Sequence, residues 1–104
     1  MDNELKRVYR VVITQNDNED IPYLVHVPDF EISTQGKSLF DAIHMARDAI
    51  SLIGVDLLKD GGVLPEPYSQ RLKYSKEFIE TLIDVDFGAY QEMLDNLDEQ
   101  KKEA

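Results

Sequence analysis

Residues 38–59, SLFDAIHMARDAISLIGVDLLK, decide how this chain is read. Leu39, Ile43, Ala46, Ile50, Ile53 and Leu57 recur at spacings of three and four, which puts them on one stripe of a helix. Phe40, Ala42, Ala49 and Leu58 widen that stripe. His44, Arg47, Asp48 and Ser51 fall on the polar side. The start is marked by Ser38-Leu39-Phe40-Asp41, a short form of the capping box. The Ser38 hydroxyl is expected to accept the N–H of Asp41, and the Asp41 carboxylate to reach back to the N–H of Ser38. Asp60-Gly61-Gly62 marks the stop. Gly54 lies inside the pattern, costs about 1 kcal/mol against Ala, and reads as a kink or an early end.

Upstream, residues 7–14 are rich in β-branched and aromatic side chains, as are residues 21–27, with a polar turn at 15–20 between them. In the second run Tyr23, Val25 and Val27 share one face, and Leu24 and His26 share the other. Pro28-Asp29 ends it. A short third strand at 31–34 leads to Gly36, a position read as a turn needing positive φ. Downstream, Leu64-Pro65-Glu66-Pro67 reads as an extended loop, because two prolines fix φ and remove two donors. The polar, basic stretch 68–76 carries no assignable pattern. Residues 80–86 read as a fourth strand. Asp86 is placed to cap a short last helix from Phe87, where Phe87, Tyr90, Leu94 and Leu97 form a narrow apolar seam. Residues 98–104 are a charged tail expected to fray.

The order strand, strand, strand, helix, strand, helix gives an α+β expectation. Three strands form an antiparallel meander, and the long helix packs on one face of the sheet. A helical crossover then sets strand four beside strand one and parallel to it, in the order 3-2-1-4.

The chain has 104 residues, a length that suits one domain, 1–104. Apolar residues make up 42%, which supports a folded core and weighs against a disordered chain. There are no cysteines, so neither disulfides nor thiolate metal sites enter. The sequence holds no apolar run long enough to span a membrane and no signal-peptide layout at its start, so a cytoplasmic location is expected. The net charge of −10 opposes direct binding to nucleic acid. Residues 77–100 hold eight acids and no Lys or Arg. That run is either a solvated face or a surface complementary to a basic partner.

Tyr23-Leu-Val-His-Val-Pro-Asp-Phe30, Ser33-Thr-Gln-Gly36 and residues 38–49 with the Asp41-Ala42 pair resemble the HicB-like antitoxin family. Residues 64–67, Asp84-Val-Asp86 and Tyr90 add to the resemblance, which covers about residues 7–90. The structural motif is Pro28, Gly36, Ser38 and Asp41. The resemblance implies a partial ribonuclease-H-like fold and a role in neutralising a small basic HicA-like RNA-cleaving toxin by direct binding. Many members add a C-terminal DNA-binding module; the seven residues after Leu97 hold none, so binding to operator DNA is not expected of this chain.

Ribonuclease-H-type catalysis needs carboxylates clustered around two metal ions. Residues 7–14 supply no acid, and Asp41 and Asp86 read as caps, so no catalytic, cofactor or metal residue is expected. His26-x-x-Asp29 offers two ligands where a site needs three or more, and His44 pairs with Asp48 on the helix surface. The expected contact residues are Leu24 and His26 on the second sheet face and Tyr90, Leu94 and Leu97 on the seam, which is alternatively core. A homo-oligomer joined by a sheet edge or the seam is also expected.

Overall fold

The computed structural model describes residues 5–16, 20–67 and 78–103, the last five by backbone alone. In chain order the elements are β1 (Lys6–Gln15), β2 (Tyr23–Val27), a 3-10 turn (Pro28–Phe30), β3 (Ile32–Gly36), α1 (Leu39–Lys59), β4 (Phe78–Asp86) and α2 (Phe87–Glu103). The stretch 68–76, unassigned from sequence, lies outside the described residues.

The four strands form one sheet in the order β3-β2-β1-β4. Alternation along β1 sends Tyr9, Val11 and Ile13 into the core with Val25 and Val27 of β2 and Ile83 and Val85 of β4. α1 closes that side through Ala42, Ala46, Ile50, Gly54 and Val55. All five are small or β-branched, so the helix axis comes close to the sheet. The buried stripe is therefore rotated from the expected one: Leu39 and Phe40 are exposed, and Ser51, expected on the polar side, is 4% exposed.

The order matches the expectation; the direction of the last strand does not. β4 pairs antiparallel with β1, from Lys6 opposite Asp86 to Thr14 opposite Phe78. The sheet is antiparallel throughout. The reason is the path of the chain beyond α1. The C-terminal part of the helix packs by the N-terminal end of β1, and the chain is still there at residues 65–66. Tyr9 donates its hydroxyl proton to the Pro65 carbonyl at 2.7 Å, and Arg7 approaches Glu66 at 3.6 Å. Residue 78 then pairs at the opposite end, beside Thr14. Helix and connection together return the chain to the end at which β3 finished its own run, so β4 descends against β1. The sequence reading let the helix make the whole crossover.

Local chemistry explains the helix ends. Ser38 Oγ accepts the Asp41 N–H at 3.0 Å, as the capping box requires. The Asp41 carboxylate accepts the N–H of Lys37 at 2.9 Å, one residue earlier than expected. At the other end the N–H of Gly62 reaches the Leu57 carbonyl at 2.8 Å and that of Gly61 reaches Leu58 at 3.2 Å. With φ of +80° at Gly61 this is a Schellman end. Gly54 does not end the helix, which continues to Lys59.

Gly36 belongs to β3 and does not have positive φ; the left-handed residue is Glu31, at φ 52°, after the turn begun by Pro28. Gly36 is there for proximity. A Cβ on it would stand 2.4 Å from the backbone nitrogen of Ala42.

Candidate functional site

α2 starts where β4 ends. Asp86 caps it, accepting the Ala89 N–H through Oδ1 at 3.0 Å. Phe87 is 1% exposed and turns back into the core, where its ring faces Gly54 and meets Tyr9 edge-on at a centroid distance of 6.4 Å. These anchors lay α2 beside α1 and leave a groove of about 350 Å³ between them. His44, Arg47, Asp48 and Ser51 of α1 line one wall. Asp86 and, from α2, Ala89, Tyr90 and Met93 line the other.

Each charged wall residue has a definable state. Arg47 is drawn to the outer edge of β4, where Nε donates to the Asp84 carbonyl at 3.0 Å and Nη2 meets Asp84 Oδ1 at 3.1 Å. That contact covers a main-chain acceptor on the outermost of the described strands. Asp48 accepts the Tyr90 hydroxyl proton at 3.3 Å. Burial pushes the Tyr90 phenol above its ordinary value, helped by the charge of Asp48, the hydrogen bond to it and the charge of Asp56. Ser51 is buried on the groove wall.

The opposite face of the sheet is covered by neither helix. Val8, Leu24, Phe78 and Leu82 are exposed there, Leu82 to 70%. Arg10 and Glu80 form an ion pair among them. Val12, flanked in register by His26 and Glu80, is buried.

The residues expected to make contacts therefore divide between two surfaces. Leu24 and His26 lie on the open sheet face, Leu24 exposed and His26 half-buried. Tyr90 and Leu94 pack against the core beside α1, and Leu97 is exposed farther along α2. Pro28, Gly36, Ser38 and Asp41 hold the turn and the approach to α1.

Sequence reasoning missed Arg47 and Ser51 as groove residues, and the pairing of Arg47 with Asp84. The partners of that pair are 37 positions apart, and no local pattern joins them. For Ser51 a signal existed: Ala42, Ala46 and Gly54, four or eight apart, marked the closest approach of the helix. Four acids of α1 and β4 are dispersed in role. Asp41 and Asp86 cap helices, Asp48 holds Tyr90 and Asp84 holds Arg47. Among the described residues no group of three His, Cys, Asp or Glu side chains is placed to hold a metal ion, and no helix is long and apolar enough to cross a membrane.

A four-stranded antiparallel sheet with both helices packed on one side and a groove between them defines an α+β domain. The chain superposes on a solved chain of a toxin–antitoxin complex from Streptococcus pneumoniae with a TM-score of 0.70 and 22% identity, over 82% of this chain and 72% of that one. No protein-family model and no curated protein sequence matches it.

Proposed function

We propose that this chain is an antitoxin-like binding protein of the HicB kind, which neutralises a small basic HicA-like RNA-cleaving toxin in a prokaryotic cytosol by occluding it. The observation that carries the reading is the fold held in common with a chain of a toxin–antitoxin complex. Two features of the chain support it. The acids of residues 78–100 fall on β4 and α2, two consecutive elements with no Lys or Arg over that span, and such a local excess of negative charge speeds encounter with a basic protein. The carboxylates near one another serve caps and ion pairs, a use that suits a contact surface.

The test is direct. A HicA-like toxin is incubated with labelled RNA and rising amounts of this chain. Cleavage should stop at a fixed molar ratio, and the two proteins should co-elute on gel filtration. Cleavage that continues undiminished in excess of this chain, with separate elution, would refute the reading.

Self-association is a second reading, favoured by the outer position of β4 in the sheet of described strands, where Leu82 is 70% exposed and Ile79 45% exposed. Light scattering of the chain alone, with Leu82→Lys as the comparison, decides it. A monomer mass unchanged by the substitution rules it out.

A further inference from the structure

We infer that the groove between α1 and α2 is a socket for an arginine side chain carried by the basic partner. The inference rests on the antitoxin reading and specifies what that partner places there. Ser51 is the first reason. The residue is 4% exposed and lines the groove, where its hydroxyl offers one donor and two acceptor lone pairs. Asp48 and Asp86 stand on opposite walls, one on α1 and one at the start of α2. Each has one oxygen engaged, Asp48 by Tyr90 and Asp86 by Ala89, and each carboxylate has further acceptor capacity. Arg47, the cation on the same wall, is drawn to Asp84 at the edge of β4. His44 lines the wall as well.

The socket thus presents oxygen acceptors from two elements and no cation of its own turned to them. Between these lie Ala89, Met93 and the Tyr90 ring, apolar surface for a methylene stem and an aromatic surface for a cation. Acceptors arriving from several directions match a planar guanidinium with five donors better than a compact ammonium. A second copy of this chain, net −10, is the wrong electrostatic match for the place.

The probe is N-acetyl-L-arginine amide, titrated into the isotope-labelled full chain and followed by amide shifts. Shifts should concentrate at His44, Ser51, Ala89 and Met93 and saturate, with N-acetyl-L-lysine amide about tenfold weaker. Ser51→Ala and Asp48→Asn should each weaken arginine amide about three- to tenfold, whereas Asp60→Asn, which removes the same charge from the far end of α1, should not. Shifts scattered over the acidic surface, equal for both amides and indifferent to Ser51→Ala and Asp48→Asn, would overturn the inference. The toxin assay separates this from the parent reading. A toxin complex that forms normally in both variants removes the socket and leaves the antitoxin role. Arginine amide seated in the groove of a chain that binds no toxin removes that role, and the partner as the source of the arginine with it.

Discussion

Gly54 sets two effects of opposite sign against each other. Alanine in a helix interior is favoured over glycine by about 1 kcal/mol. A Cβ at Gly54, however, would stand 2.1 Å from Phe87 Cε1, a ring that is 1% exposed in the core. Overfilling of this kind costs about 1–3 kcal/mol, so the packing term wins. Gly54→Ala should lower the urea midpoint by the equivalent of about 1–2 kcal/mol, and Phe87→Leu in the same chain should recover part of that loss. Equal or higher stability in Gly54→Ala would mean that the ring yields. Gly36→Ala is the harsher case, because its Cβ meets the Ala42 backbone at 2.4 and 2.5 Å rather than a side chain. Tyr9 and Tyr90 carry the pH dependence at this scale. Burial is the leading cause that raises both phenols above 10.0; the nearby acids add to it, and at Tyr9 Arg7 opposes it. A raised folded value holds the proton more tightly than the unfolded chain does. The contribution is therefore complete below the unfolded value and is lost as pH rises through the folded one. The urea midpoint should fall as pH rises above about 10, and fall less steeply in Tyr90→Phe. Parallel profiles for the two proteins would show that Tyr90 has no part in it.

The elements differ in how far they depend on distant partners. α1 is held at its start by Ser38 and at its end by the Gly61-Gly62 Schellman bonds, all made within a few residues. Ser38→Ala should cost about 1 kcal/mol, read as a lower thermal midpoint, with Thr restoring most of it. A Ser38→Ala midpoint equal to that of the parent would mean the first turn is fixed by packing alone. Such local signals are why this helix, its stop and the Asp86 cap were legible in the sequence. The strand order was legible too, since a meander and one apolar helix leave few ways to cover a sheet. The direction of β4 was not, because it depends on where the chain stands at residues 65–66. The burial of Leu64 in the core and the Tyr9–Pro65 and Arg7–Glu66 contacts, 56 and 59 positions apart, report that. The groove was half legible for the same reason. Tyr90 could be read from the α2 seam, but Ser51 was assigned to solvent by a stripe drawn through the larger residues. The helix instead approaches the sheet along its smaller ones.

At the scale of the molecule, one set of charges has two opposed consequences. The free chain carries −10 on a body that is not compact, with a radius of gyration of 15.3 Å against roughly 13 Å for a compact domain of this length. The excess fits a sheet with both helices on one side and a 17-residue α2 that is exposed at Leu97. Like charges spread over such a surface repel at low ionic strength, where the screening length is about 30 Å, and are damped near 0.15 M, where it is about 8 Å. The free chain should therefore melt a few degrees higher on moving from about 10 mM to 150 mM sodium chloride, a shift worth somewhat under 1 kcal/mol at this size. A midpoint that stays level or falls would show that the ion pairs of Arg47 with Asp84 and of Arg10 with Glu80 outweigh the net repulsion. The same salt should act in reverse on association with a basic partner. The field that strains the free chain steers the encounter, so the association rate should drop severalfold over that range while the dissociation rate, set by short-range contacts, changes little. A dissociation rate that carried the whole salt effect would place the binding energy in exposed ion pairs and not in the helix groove.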